Sequence, residues 1–382
     1  MHHGLSHFLS YPHTHFSDET VPVQRLFNFS AGPAVLPEPV LSVAREHLLS
    51  LGETGIGVLE HSHRGDVFGD VLASAEARIR RLAAVPDDVA VLFLQGGASL
   101  QFAMVPANLR SRADTADYII SGTWAMKAFE AARSDGAVHV ASSSQDSDFR
   151  NLPGPPECSD QPAYLHYTSN NTIAGTQFAT PPTPPDGVPL ICDASSDIFS
   201  RPIDLHAHDL VYAGAQKNLG PAGLTLVLIR RTLLERAPDS LPLIHRYATH
   251  AQSGSLYNTP PVFSIFVTEL VLEWLEEQGG LESIADRNRI QASRLYDRID
   301  ASHVLTGRVG LCARSSMNVV FSAGGEEADT RFLEHCRRAG LAGLKGHRSV
   351  GGLRASLYNA QPDAAVDRLL EVIDAFEAEQ AE

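Results

Sequence analysis

The sequence predicts an α/β protein: a large domain built on a mostly parallel central sheet, followed by a smaller C-terminal α/β domain. Three observations predict it. From about Phe27 to Val262, short β-type runs alternate with helix-type runs. Several of the β-type runs are apolar at every position, as strands covered on both faces must be. The 382 residues, 43% hydrophobic and 20% charged, supply core material for two to three domains.

Taken in chain order, residues 1–25 carry His2, His3, His7, His13 and His15 without an apolar pattern. A histidine-rich metal arm and a disordered extension both fit such a segment, and the missing apolar pattern favours the extension, with no metal. It also lacks the basic start and apolar stretch of a secretory signal. Order is expected from Leu26-Phe27-Asn28-Phe29, where an apolar stretch runs into Ser30-Ala31-Gly32-Pro33. Val89 to Leu94 is an apolar run ended by Gln95-Gly96-Gly97, and Val188 to Cys192 is another, ended by Asp193. Leu210 to Ala213 and Leu224 to Ile229 are two more. The proline-rich stretches at 153–156 and 181–185 read as surface connectors.

After Asn258-Thr259-Pro260-Pro261, the residues Phe263, Phe266, Val267, Leu270, Val271, Trp274 and Leu275 recur at helical spacing, with Gly279-Gly280 as a stop. This helix is expected to lead from the large domain, 26–262, into the small one, 263–382. Trp274 could stack on a ligand, but its spacing puts it in the core. A strand at Met317 to Phe321 and an amphipathic helix near 364–376 complete the chain.

The formal net charge of −15 argues against nucleic acid and anionic membrane as partners. No apolar run approaches the ~20 residues of a membrane helix. Four dispersed cysteines, Cys158, Cys192, Cys312 and Cys336, form no Cys-x-x-Cys pair and fit a reducing, cytoplasmic setting.

Asp193 stands at the end of a buried-type strand, where an unpaired carboxylate is costly and calls for a cation or a metal. Lys217 follows the next run, just ahead of Gly220-Pro221-Ala222-Gly223. Open α/β sheets place ligands at such strand ends. A lysine and a carboxylate so placed suit pyridoxal phosphate (PLP), which needs an amine to carry it and an acid to keep its pyridine nitrogen protonated. On spacing alone, a surface lysine and an aspartate capping a turn fit equally well.

Gly96-Gly97-Ala98-Ser99, opening an apolar helix, offers a cup of backbone N–H groups for a phosphate. It matches neither a dinucleotide fingerprint nor a P-loop. Trp124 could stack on a ring, although aromatic side chains more often serve the core. Ser62-His63-Arg64-Gly65 and Lys345-Gly346-His347-Arg348, the latter followed by Gly351-Gly352-Leu353-Arg354, set arginines among glycines. A solvated basic loop would look the same, but two such clusters on an acidic chain favour an anion site.

From Phe27 to the C-terminus the sequence resembles the phosphoserine aminotransferases. The resemblance is carried by Phe29-Ser30-Ala31-Gly32-Pro33-Ala34, Ser62-His63-Arg64-Gly65, Ala213-Gly214-Ala215-Gln216-Lys217-Asn218-Leu219-Gly220-Pro221-Ala222-Gly223, Tyr257-Asn258-Thr259-Pro260-Pro261 and Lys345-Gly346-His347-Arg348. It implies a fold-type-I PLP-dependent transferase, a homodimer with active sites at the subunit interface. The implied reaction moves the amino group of L-glutamate to 3-phosphohydroxypyruvate, and in many bacteria also to a related phosphorylated keto acid of pyridoxine synthesis. By motif, Lys217 is the Schiff-base lysine, Asp193 pairs with the pyridine nitrogen, Trp124 stacks on the ring and Thr172 bonds its phenolic oxygen. Gln216, Ala98 and Ser99 hold the cofactor phosphate, joined by Asn258 and Thr259 of the partner subunit. His63, Arg64, His347 and Arg348 take the substrate phosphate or distal carboxylate, and Arg354 the α-carboxylate. Ser99 stands where some members carry an arginine, and residues 133–163 depart from the family pattern.

Three other readings compete. A different PLP aminotransferase or lyase would share the scaffold; the two arginine clusters favour dianionic substrates, and Cys192 reads as strand core rather than nucleophile. A non-catalytic binding protein would leave chemical positions empty that are filled here. A nucleotide-dependent dehydrogenase lacks its phosphate fingerprint.

Overall fold

The protein is described by a computed structural model covering residues 25–111 and 113–380; the histidine-rich start lies outside the described residues. β1 (Phe27–Asn28), α1 (Glu38–Glu46) and α2 (Asp66–Leu82) precede β2 (Val89–Leu94). There follow α3 (Gly97–Leu109), β3 (Ala116–Ile120), α4 (Thr123–Arg133), β4 (Val138–Ser143), β5 (Leu165–Thr168), β6 (Leu190–Asp193), β7 (Leu210–Gly214) and β8 (Thr225–Arg230). The remainder holds α5 (Tyr247–Gln252), α6 (Val262–Glu277), α7 (Gly280–Asp300), β9 (Thr306–Gly307), β10 (Asn318–Ser322), α8 (Glu326–Arg338), β11 (Leu341–Ala342), β12 (Leu353–Ser356) and α9 (Asp363–Gln380).

Seven strands form the central sheet in the order β2-β8-β7-β6-β5-β3-β4. β8 runs antiparallel to both its neighbours, and every other pair is parallel. The uninterrupted apolar runs have a direct cause. Along β2, Val89, Val91 and Phe93 enter one core with α1, α2 and α6, while Ala90, Leu92 and Leu94 enter another with α3 and α4. Alternate side chains point to opposite faces, so a strand covered on both sides has no position left for a polar residue. Each fully buried Val, Leu or Phe contributes roughly 1.5–3 kcal/mol over exposure.

The third core gathers α8, α9, β10, β12 and the second half of α7. The chain's beginning returns to it: Phe29 is buried there, and β1 pairs in parallel with β11. α6 packs against α2 within the first core, through Ile265, Phe266, Val271 and Leu272 among others. It is α7 that reaches both, with Leu281 and Ile284 in the first core and Leu295 and Ile299 in the third. Trp274 lies against the first core, with the Arg287 guanidinium 5.5 Å from its ring centre. All four cysteines are unpaired. Among the described residues, no helix is long and apolar enough to cross a membrane.

Candidate active site

Because β2, β3, β5, β6 and β7 point the same way, their C-terminal ends share one edge of the sheet. The register brings Thr168, Asp193 and Tyr212 side by side there. Asp193, fully buried, ends β6. Its Oδ1 accepts two bonds from Ser195, from the backbone N at 3.0 Å and from Oγ at 2.6 Å. Ser195 Oγ in turn accepts from Gly214 N at 3.1 Å, which ties the acid to the end of β7. Burial pushes the Asp193 carboxyl up; the Lys217 charge and the Ser195 bonds oppose this. Its Oδ2 accepts no bond among the described residues.

Lys217 lies just beyond β7. Its Nζ donates to Thr172 Oγ1 at 2.8 Å and stands 5.6 Å from the centre of the Trp124 ring. Burial lowers its pKa to about 8; Asp193 pulls it back up and Arg354 lowers it further. The loop after β1 packs on the lysine stem. Gly32 has φ +138°, and a Cβ there would come 3.1 Å from Lys217 Cγ. Next to it, Ala34 N donates to Gln216 O at 2.9 Å, while Tyr358 OH donates to Ala31 O at 2.9 Å.

Trp124 sits in the first turn of α4, close to Thr172 because Asn171 Nδ2 donates to Ser121 O at 2.5 Å. α3 begins at Gly97 with no side-chain cap, and the N–H groups of Gly97, Ala98 and Ser99 have no partner among the described residues. A helix start left open in this way presents donors and a positive dipole end to an anion.

Arg354, on β12, donates Nη1 to Thr172 O at 3.2 Å, and its buried Nε has no partner. Burial lowers its pKa, an effect no carboxylate offsets. His347 is lowered by burial and then by Arg354, Arg348 and Lys127. Arg354 thus acts on Lys217, and His347 in turn feels Arg354, Arg348 and Lys127, a basic neighbourhood on a chain of net charge −15.

Within one protomer the structure brings together Lys217, Asp193, Thr172, Trp124, Gln216 and Arg354, with His347 and Arg348 at the edge. It does not bring four other candidates to them. Arg64, exposed, and His63, whose buried Nε2 lacks a partner, precede α2 and make no bond to this group. Asn258 and Thr259 sit near the end of β2, where Thr259 O accepts from Gln95 Nε2 at 2.8 Å. The sequence pattern alone did not single out Ser195. A serine two residues after a buried aspartate is a local bonding pattern that could have singled it out. Tyr358 had no such signal, since 327 residues separate it from Ala31.

Residues 26–369 match the family Aminotransferase class-V. Over 359 residues the chain is 46% identical to the phosphoserine aminotransferase of Bacillus cereus, spanning 94% of this chain and 99% of that one. The chain belongs to the class-V phosphoserine aminotransferases. The protein of that name from Niallia circulans is 48% identical over 357 residues, covering 92% and 98% of the two chains. The solved phosphoserine aminotransferase from Bacillus circulans subsp. alkalophilus superposes with a TM-score of 0.91 at 46% identity, covering 93% and 99%.

As a class-V aminotransferase the chain is a PLP-dependent transaminase of the fold-type-I architecture. The residues present fit that cofactor: an amine with a depressed pKa, a buried acid with a free oxygen, an uncapped helix start and an indole lie at one edge of the sheet.

Proposed function

We propose that the chain transfers the amino group of L-glutamate to 3-phosphohydroxypyruvate, giving O-phospho-L-serine and 2-oxoglutarate, a step of serine biosynthesis. The observation that carries this reading is the cationic group formed by Arg354, which acts on Lys217, and His347 and Arg348 next to it. Among the described residues Arg354 has no carboxylate partner. Both substrates carry an α-carboxylate and a second anion, and guanidinium groups bind such pairs bidentately.

Bound PLP supplies the electron sink that lets the bond from substrate Cα to hydrogen break. Lys217 would hold the cofactor through its amine, and its neutral Nζ would take the proton from substrate Cα and pass it to the cofactor's former aldehyde carbon. Asp193, buried and oriented through Ser195, would pair with the ring nitrogen and keep it protonated. Thr172, whose hydroxyl accepts from Lys217 Nζ, would bond the cofactor's phenolic oxygen, and Trp124 would stack on its ring. Gln216 and the amides of Ala98 and Ser99 would hold the cofactor phosphate, with Asn258 and Thr259 of the partner subunit. Arg354 takes the α-carboxylate, while His63, Arg64, His347 and Arg348 take the substrate phosphate or distal carboxylate.

A homodimer is part of this proposal. Asn258 and Thr259 do not reach Lys217 within one protomer. The apolar side chains Leu49 and Leu59, 87% and 62% exposed, stand near His63 and Arg64 in the chain, and half-exposed Tyr257 adjoins Asn258. Large exposed apolar side chains next to functional residues mark an association surface.

The test follows the two half-reactions by visible absorption of the purified, PLP-loaded protein. L-glutamate should discharge the band of the lysine-bound cofactor, and 3-phosphohydroxypyruvate should restore it. A band that glutamate leaves untouched, or that the phosphorylated keto acid cannot restore, would overturn the reading.

A further inference from the structure

The loop 345–352 carries His347 and Arg348, and its internal bonds close it without fixing its tilt. His347 O accepts from Val350 N at 2.9 Å and from Gly351 N at 2.8 Å, and Gly346 N donates to Gly352 O at 2.8 Å. Behind Ser349 and Val350 lies a cavity of about 470 Å³, bordered also by Thr123, Phe149 and Asn171. On that side Ser349 and Val350 border open space, and protein segments hold position through packed contacts.

Among the described residues, one side chain from outside the loop bonds to it. Arg308 also borders the cavity, and its Nη1 donates to Val350 O at 2.5 Å. The residue is itself rooted, since Arg308 N donates to Val320 O on β10 at 3.1 Å. Gly352, with φ +72°, is pinched between the two elements. A Cβ there would come 2.8 Å from Phe321 O and 3.1 Å from Arg308 Cζ. The guanidinium is planar and rigid, so it can bond the carbonyl at its edge and lie flat against the glycine. Its bonds among the described residues go to the backbone alone.

We infer that Arg308 is a positioning residue: it sets the tilt of loop 345–352 over the cavity and so aims His347 and Arg348 at the substrate's distal anion, without touching substrate. This rests on the substrate-binding reading of that loop given above. Sequence pattern could not show it, because Arg308 lies far from the loop in the chain and its partner is a backbone carbonyl.

The test compares the PLP-loaded variants Arg308→Lys, Arg308→Met, Arg348→Gln and the double variant R308M/R348Q with the parent. Arg308→Met should raise KM for both dianionic substrates about tenfold, the scale of one well-placed bond to a charged group, with kcat within about twofold. The cofactor band and Tm should stay those of the parent. Arg308→Lys keeps one donor and should recover part of the loss; if Arg308→Met fails to fold, this variant carries the test with a smaller rise in KM. In the double variant the KM effects should combine to less than the product of the singles, since Arg308 acts through the same loop. An unchanged KM in Arg308→Met, with a raised KM in Arg348→Gln, would overturn the inference and leave the substrate reading standing. Effects that multiply would overturn it too. If Arg348→Gln also leaves KM unchanged, the substrate reading falls, and the inference with it.

Discussion

At the floor of the cleft, Asp193, Ser195 and Thr172 are buried and Lys217 half-buried; Ser195 ties Asp193 to the end of β7, and Lys217 donates to Thr172. At the rim, Arg64, Asn258 and Thr259 are exposed or half-exposed, and the bonds they make run to near neighbours in sequence or to Gln95. The contrast separates two kinds of functional residue. Floor residues are held by the same strand register and burial that stabilise the fold, so their geometry is complete in one chain. Rim residues are held by little within the chain; on the proposed reading their groups await substrate, cofactor phosphate or a second subunit. Preorganised groups serve chemistry, whereas less constrained ones serve capture and release.

Substitutions on the two sides should therefore differ in kind. The largest effect belongs to the floor. Lys217→Ala should fold and retain PLP noncovalently, while transamination falls by orders of magnitude because cofactor carrier and proton carrier are lost together. Steady-state turnover checks this, and near-normal turnover would break the comparison at its centre. On the rim, Arg64→Gln should raise KM for 3-phosphohydroxypyruvate about tenfold to a hundredfold, as loss of a guanidinium–phosphate contact implies, and leave the cofactor band unchanged. A KM equal to that of the parent would remove Arg64 from the substrate pocket.

A smaller effect sharpens the account of the floor. Burial holds the Lys217 amine at about 8 rather than the ordinary 10.5. Only the neutral amine attacks the cofactor aldehyde, so about a quarter of the protein is reactive at pH 7.5. The rate at which cofactor-free protein captures PLP covalently should rise through about pH 8 and level off above it. Stopped-flow absorbance would show this, and a rise that continues through pH 10 would contradict the buried environment.

The smallest effect concerns the layer beneath. His166 is fully buried, with its Nε2 2.9 Å from Tyr212 OH, and burial lowers its pKa from 6.5 to about 3. Between those values the unfolded chain binds a proton that the folded chain refuses. The stability this histidine confers is thus present above pH 6.5 and is lost as pH falls toward 3. The Tm of His166→Phe should fall less steeply than that of the parent from pH 6.5 to 4.5; equal slopes would argue against this.

The same contrast explains what was legible in the sequence. β2, β6, β7 and β8 could be read because burial on both faces writes a local signal, a run of apolar residues, and Asp193 and Lys217 follow such runs. The reversed direction of β8 was not legible, since pairing direction leaves no mark on an apolar run. Nor was the place of Phe27 to Phe29, which pack with β11 and the C-terminal core, because that contact joins opposite ends of the chain. Arg64 and Arg348 were readable as basic residues set among glycines, but their aim depends on loop geometry. Arg308 had no signal at all, since a backbone carbonyl is the same in every residue.

If the rim of one subunit completes the floor of the other, two defective chains should repair each other. Lys217→Ala keeps Asn258 and Thr259, and the double variant N258A/T259A keeps Lys217. Mixing the two, each inactive or impaired alone, under conditions that exchange subunits should form heterodimers with one intact site apiece, restoring about a quarter of parental activity in a statistical mixture. Heterodimers confirmed by mass that show no activity beyond the average of the two separate variants would contradict the shared site.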